Sequence, residues 1–452
     1  MRITGKRNKY GNTTIFTAII LSALILIECT YLVFVWDLDR RMEVSRALKC
    51  EVDSILAEYN RQLFSVYGIY AFELDDVDDR IFDNVLESNG LHTGQAIEID
   101  GVEVLDTDSL RQAISSYYSY RGGAVAVGSL LEQVSGLLAS IDDKGVMGKI
   151  RSFTNSSASK YLKEVLTDSD KVSEALESVK EKLEGTVLNQ GLDQLSDLYA
   201  LIDDNEDDVT LFGDGASLYD LRFLVEGYST LESLTSKGSK FISGKADHLL
   251  LAHYAAYNFD CAVDNENDCS INGTAFSGIH DKNYYDAEYI MTGADGRFGF
   301  VSVSSLMLQL MFCKHFLDIF SDPAQSTAYE ALSILLSSLI AVISGGTLDI
   351  PTEVMKLIVV SIVAIGKSVK DYKDVMKGGK FALLEENGAD IILLGYRDFL
   401  FLYLACTADI YLLSRSLEVL RRDYGEMYTG IRLVTTYRGT DYDVTKRYAL
   451  YE

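Results

Sequence analysis

The residues able to do chemistry in this chain are sparse, and their spacing decides what each can do. There are five histidines. His248 and His253, with Asp247 beside the first, stand five apart, whereas two imidazoles share a helix face at a separation of four, so they read as core or surface histidines rather than zinc ligands. His280-Asp281 and His315 have no partner recognisable in the sequence. Gly244-Lys245 comes nearest to a phosphate loop, but Ser239 replaces the upstream glycine and Ala246 follows the lysine, so nucleotide binding is not expected. Asp264, Glu266 and Asp268 alternate like the opening of a calcium loop, with Cys269 in place of the turn glycine and Ala275 in place of the bidentate glutamate. Asp203, Asn205 and Asp207 alternate similarly, with Asp208 at the glycine position and Asp214 at the end, and both runs read as solvated acidic turns. No G-x-S-x-G nucleophile elbow is present. These residue types point away from an enzyme, and no catalytic residue, metal or cofactor is expected.

Two features remain. The six cysteines are too few and too scattered for a disulfide framework. Cys261 and Cys269, however, flank a polar segment and would close a small ring in an oxidising compartment, the alternative being two free thiols; Cys313 and Cys406 fall in apolar helical patterns and read as buried small hydrophobes. Glu28 is the second feature, because it lies deep inside FTAIILSALILIECTYLVFVW, Phe16 to Trp36. An ionised carboxylate there is costly and seeks a partner or a proton. It either pairs with a cationic or polar group of another membrane subunit or stays protonated and isolated.

That apolar run is long enough to cross a bilayer as one helix. Arg2, Lys6, Arg7 and Lys9 precede it, whereas Asp37 and Asp39 follow and only then Arg40 and Arg41, an asymmetry that keeps the short N-terminus cytoplasmic and exports the remainder. A cleavable signal peptide is the rival reading, but the run exceeds a usual signal core and passes into a charged helix without an A-x-A-like site. Beyond it Val44, Leu48, Val52, Ile55, Tyr59, Leu63, Val66 and Tyr70 recur every three or four residues. This stripe predicts that one stiff helix continues to Phe72, covered by the protein's own ectodomain or by neighbouring subunits.

The rest of the chain is acidic and rich in helix formers. Its 67 acidic and 41 basic residues give a net charge of −26, which argues against nucleic acid as a partner. Only two prolines and long Leu, Ile, Ala, Ser and Glu segments predict a mainly α protein with small β-hairpins. One hairpin is expected at Ala96–Val104 around Asp100-Gly101 and another at the C-terminus around Arg438–Asp441, bearing Tyr437, Tyr442 and Tyr448. Between them, Gly185 reads as a helix C-cap, Asp203–Asp208 as a helix break, and Asp322-Pro323 as an N-cap and first helical residue. The apolar helices after Pro323 and Pro351 form an antiparallel pair, interrupted by Gly345, Gly346, Asp349 and Glu353, and read as core rather than further spans. Ala389 to Gly425 is expected to supply one more long helix. The organisation expected is a cytoplasmic tail 1–13, a transmembrane helix 14–36, a helical extension 37–75, an acidic α-rich region 76–280 and an apolar helical core 281–452 ending in the hairpin.

Several separated segments carry a family resemblance: GNTTIF followed by ILIEC, VDSILAEYNRQLFSVYGIYAFE, EYIMTG, HFLDIFSDP, SVKDYKDVMKGGKFALL and GYRDFLFLYL. Together they resemble uncharacterised single-pass membrane proteins of clostridia-like Gram-positive bacteria associated with Tad/Flp type IV pilus systems, relatives of TadE/TadG-like pseudopilins. The resemblance covers both ends and most of the second half and leaves residues of about 105–260 to composition alone. It implies a membrane-anchored structural or assembly component, minor pilin-like or pseudopilin-like, of a pilus or related secretion or adherence apparatus. Its partners would be the membrane, pilus or secretion-machinery subunits and further copies of itself. One departure matters: prepilins resemble Gly followed by Glu five residues on, whereas Phe16 holds that place after Gly11, so processing at Gly11 is not implied. A free-standing receptor or adhesin tethered by the same helix is the alternative.

Overall fold

The computed structural model describes residues 10–74, 80–91, 97–119, 127–183, 185–209, 217–219, 221–242, 246–263, 285–294, 297–386 and 389–451. Among these residues it is mainly helical, with seventeen α-helices and five strands in two small antiparallel sheets. Two compact units share the chain, Met1–Ala113 with Asp423–Glu452, and Ile114–Arg422. The first unit opens with α1 (Tyr10–Ala57), α2 (Arg61–Tyr67), α3 (Arg80–Ser88), β1 (Glu98–Val104) and the start of α4 (Thr107–Ser119). The second holds α5 (Val127–Asp143), α6 (Val146–Thr154), α7 (Ala158–Thr167), α8 (Ser169–Lys180), α9 (Gly185–Val209), α10 (Arg222–Ile242), α11 (Ala246–Asn258) and α12 (Asp286–Thr292). It continues with α13 (Arg297–Ser321), α14 (Pro323–Ile343), α15 (Thr352–Met376), β2 (Phe381–Glu386), β3 (Ala389–Leu394), α16 (Tyr396–Leu404) and α17 (Asp409–Tyr424). The chain then returns to the first unit with β4 (Tyr428–Tyr437) and β5 (Thr440–Arg447).

In the first unit the apolar half of α1 is bare: Phe16, Leu26, Tyr31 and Phe34 are each more than 60% exposed. From Val44 the helix changes character, and Val44, Leu48, Val52 and Ile55 sink into a core with Phe72, Phe82 and Ile431. The stripe read from the sequence is thus covered by the protein's own fold. Glu51, buried on the same face, accepts the Phe82 N–H and so caps the first turn of α3 with a carboxylate, where the helix dipole favours negative charge.

The unbroken helix expected to Phe72 is not formed. α1 stops at Ala57, and Asn60 starts α2 by accepting the Leu63 N–H at 2.9 Å while its own N–H reaches Ala71 O at 2.8 Å. Gly68, at φ 69°, ends α2, and Phe72 pairs with Tyr428 as an isolated bridge. The periodicity survives because α2 resumes the apolar spacing after a break of three residues. Tyr59, Phe64, Tyr70 and Tyr448 form a chain of aromatic contacts with centroids 4.4–5.6 Å apart.

The hairpin expected at Ala96–Val104 is also corrected. Residues 98–104 form one strand that pairs antiparallel with β4, in a sheet of order β1-β4-β5, and Gly101 marks a register shift rather than a turn. Pairing with a distant strand overrides the local Asp-Gly signal, because β4 offers a whole edge and a hairpin of this length would bury little. The C-terminal hairpin forms as expected, with Tyr437 opposite Thr440 across Arg438-Gly439.

In the second unit α15 is central. Its residues Ile358 to Ile365 are all buried, and within it Ser361 and Ser368 satisfy their hydroxyls on the carbonyls of Leu357 and Ala364, each at 2.7 Å. α13, α14 and α9 pack around it. At Gly366 a methyl group would fall within 2.8 Å of the Leu201 side chain, so glycine lets α9 approach closely. α14 starts as read, with the Asp322 carboxylate accepting the Ala324 N–H at 2.9 Å ahead of Pro323, and it packs on α15 after the segment 344–351.

Three helical readings change. α8 ends at Lys180, and Gly185 opens α9 instead of closing the helix before it. α9 runs on through Asp203–Asp208 to Val209, because its buried Leu195, Leu198 and Ile202 lie against α14 and α15 and that packing outweighs weak propensity. The long helix expected from Ala389 is β3, α16 and α17, with β3 paired antiparallel to β2.

Among the described residues three helices are long and apolar enough to cross a membrane by length and composition: the N-terminal one, whose most apolar window is 0% buried, and two further ones at Phe298–Ser321 and Pro323–Ile343, whose windows are 61% and 39% buried. Replacing Asn60 by Ala removes the cap between α1 and α2 and is expected to cost about 1 kcal/mol. Urea unfolding of the detergent-solubilised protein, followed by tyrosine emission, measures it; an unchanged midpoint would mean that the bend is held by the sheet alone.

Candidate functional site

Glu28 sits on the exposed surface of α1, within the bare apolar half. The hydroxyls of Thr17, Ser22 and Thr30 turn back onto their own helix, donating to Thr13 O at 2.8 Å, Ile19 O at 2.9 Å and Leu26 O at 2.7 Å. An ionised carboxylate cannot do this, because carbonyls accept and it has nothing to donate. As a carboxylate, Glu28 would be a polar group that its own helix backbone does not satisfy.

The other sequence-derived candidates scatter. Cys261 is buried and its thiol donates to Val263 O at 3.2 Å; Cys269 lies outside the described residues, and so does the disulfide reading. Asp264, Glu266, Asp268, His280, Asp281, Gly244 and Lys245 lie outside them as well. Asp203 and Asn205 are helical, and the Asn205 amide donates to Leu201 O at 2.8 Å. Both histidines of the rejected zinc pair are buried. His248 bridges Asp409 and Ala405 O, while His253 stacks on Tyr257 at 4.4 Å, and burial pushes its pKa down to about 4, so it is neutral at physiological pH. His315 does have a partner, Asp371, at 2.7 Å. Among the described residues no group of three or more His, Cys, Asp or Glu side chains could hold a metal ion.

What sequence reasoning missed is a buried polar cluster where α11, α12 and α16 meet. The start of α16 puts Tyr396, Arg397 and Asp398 side by side, all nearly or fully buried. Tyr396 donates to Glu288 Oε1 at 2.6 Å, and the Ala262 N–H donates to the same oxygen at 2.8 Å. Arg397 Nη1 donates to Ala256 O at 2.7 Å and Phe259 O at 3.0 Å, satisfying carbonyls at the end of α11, where the dipole favours a cation. Asp398 accepts from Tyr257 OH at 2.6 Å and from the Gly395 N–H at 2.8 Å, so one carboxylate both caps α16 and holds α11. On the outer side of α12, Arg422 clamps Asp286 through two bonds of 2.9 and 3.1 Å.

Glu288 is 0% exposed, and its second oxygen, Oε2, has no hydrogen-bond partner. Burial pushes its pKa up to about 7, against the opposing pull of the Tyr396 hydroxyl, the Ala262 N–H and the Arg397 charge. A carboxyl poised near neutrality beside a tyrosine can exchange a proton, but its complete enclosure makes it a clamp between helices rather than a group presented to substrate. The signal for this cluster was present: a Tyr-Arg-Asp triplet inside the apolar run LLGYRDFLFLYLA must be buried, and buried charges must be paired.

No family model matches the chain, no curated protein resembles it significantly, and no solved structure matches its fold.

The Glu288 geometry sets a pH dependence. A carboxyl whose pKa is raised on folding binds its proton more tightly in the folded state, so its contribution is complete below the unfolded value near 4.5 and is lost as pH rises through about 7. Glu288→Gln, which keeps the acceptor oxygen and stays neutral, is expected to stabilise the protein at pH 8 by about 3 kcal/mol and at pH 5 by less than about 1 kcal/mol. Thermal unfolding at both pH values checks this, and an equal shift at the two would rule out the protonated carboxyl.

Proposed function

We propose that this chain is a membrane-anchored structural or assembly component, minor pilin-like or pseudopilin-like, of a Tad/Flp-type pilus or related secretion apparatus. The observation that carries the proposal is the bare apolar half of α1, 0% buried over its most apolar window, with Glu28 on its surface. In this reading α1 crosses the bilayer once, with the N-terminus cytoplasmic, and the two folded units are exported. Glu28 then docks laterally against a cationic or polar group of a neighbouring membrane subunit, because lipid supplies no donor and the helix supplies none either. α13 and α14 act as core helices of the second unit.

Function in this reading is association rather than catalysis. The acidic surface keeps the exported units soluble and away from polyanions, while the anchor selects partners in the membrane plane. Interhelical polar contacts in bilayers contribute on the order of 1–2 kcal/mol, so Glu28→Leu is expected to reduce co-purified pilus-machinery subunits about tenfold while leaving the protein in the membrane. Crosslinking mass spectrometry on intact cells, with a tag on the C-terminus, measures the same association directly. Crosslinks to pilin or platform subunits are expected. Crosslinks only to unrelated surface proteins while the machinery is expressed would favour a tethered receptor or adhesin.

A further inference from the structure

The turn joining β4 to β5 lies against α1 at the level where the apolar run ends. Its two loop residues, Arg438 and Gly439, have φ of 50° and 75°. Two-residue turns with positive φ at both positions suit the strand twist and favour Asn, Asp or Gly at the first. Arginine there is strained by roughly 1–2 kcal/mol. What the strained residue does is visible: Arg438 Nη1 reaches Asp37 Oδ1 at 3.4 Å, and its guanidinium lies 5.5 Å from the Tyr437 ring centre.

Asp37 is the first residue after Trp36. It also receives Arg41 Nε at 2.8 Å, and Arg40 lies 3.5 Å over the Trp36 ring. Three guanidiniums, from Arg40, Arg41 and Arg438, thus gather round the first turn of α1 beyond the apolar run. Arg41 and Arg438 remain about half exposed, with side-chain accessibilities of 49% and 54%, and each has further N–H donors than its contact with Asp37 uses.

Length fixes the level of this ring. From Phe16 to Trp36 a helix rises about 30 Å, the thickness of a hydrocarbon core, and tryptophan favours the headgroup boundary. α1 becomes buried in its own unit at Val44, about 12 Å further on at 1.5 Å per residue, so no free stalk separates the fold from the bilayer. Asp37 pairs with two of the three arginines, and Asp39 beside Arg40 and Asp441 three residues after Arg438 are the neighbouring carboxylates in the sequence, so the segment carries as many acidic as basic groups. That balance fits zwitterionic phospholipid, whose phosphate accepts guanidinium hydrogen bonds without a net surface charge.

We propose that Arg438, Arg40 and Arg41 form a collar that binds phospholipid phosphates and seats the first unit directly on the membrane surface; this rests on reading α1 as a span. The full chain, with Cys29, Cys50 and Cys269 replaced by serine and Thr440→Cys carrying an environment-sensitive fluorophore, is reconstituted in phosphatidylcholine vesicles. Spin labels on the lipid headgroup are expected to quench most of the emission at 440, while labels at the top of the acyl chain quench Trp36, the sole tryptophan. Arg438→Asn relieves the strain of the turn and removes the guanidinium; it is expected to lose most of the quenching at 440, to leave Trp36 unchanged and to keep or raise the unfolding midpoint. Quenching at 440 that is absent from the parent, or that persists in Arg438→Asn, would overturn the collar while Trp36 still reports a span. If acyl-chain labels fail to quench Trp36, the span itself is refuted and the collar with it.

Discussion

One helix has to satisfy two environments with a single backbone. Over its first half α1 is apolar on every side and closes its hydrogen bonds internally, even for the hydroxyls of Thr17, Ser22 and Thr30. Over its second half it is amphipathic, and the residues that face inward, from Val44 to Ile55, are the floor on which α3, β4 and β5 are laid. The change of surface within a continuous helix makes its second half the scaffold of a folded unit and leaves its first half long and apolar enough to cross a membrane. Everything in the first unit is registered against it: Glu51 orients α3, and Lys446 and Arg438 tie β5 and its turn to Asp53 and Asp37.

Much of this was legible in the amino-acid sequence. Periodicity located the stripe on α1, the Asp-Pro pair located the start of α14, and the spacing of turn residues located the β4–β5 hairpin. Where the reading failed, a longer-range interaction had displaced a local preference. Asp100-Gly101 looks like a turn until β4 arrives to pair with the whole segment. The Asp203–Asp208 run looks like a break, yet buried leucines one turn earlier hold α9 in place. Asn60 shows the reverse case, a capping residue concealed inside an otherwise regular stripe. As for the sites, Glu28 was evident because a carboxylate in an apolar run is conspicuous. Glu288 was not, since its partners come from segments far apart in the chain.

The cluster around Glu288 also explains how an apolar helical core acquires a unique arrangement. Leucine and isoleucine faces tolerate small rotations against each other. Arg397 and Asp398 do not, because each must find particular carbonyl, amide or hydroxyl partners on α11 while Tyr396 finds Glu288 on α12. A misplaced helix would leave a buried charge without its hydrogen bonds, a cost of several kcal/mol. Polar contacts therefore select the packing that apolar contacts stabilise.

The division of the chain has a temporal side. The first unit takes its sheet from two separate stretches of the sequence, with β1 before the second unit in chain order and β4 and β5 after it. During synthesis the α1 segment is made first and the second unit next, while β1 waits for a pairing edge that does not yet exist. Until β4 and β5 emerge, the apolar stripe from Val44 to Ile55 is only partly covered, by α3 and Phe72. The newly made protein thus passes through an interval in which α1 is made and the fold of its first unit is incomplete, a natural window for a chaperone to engage that stripe.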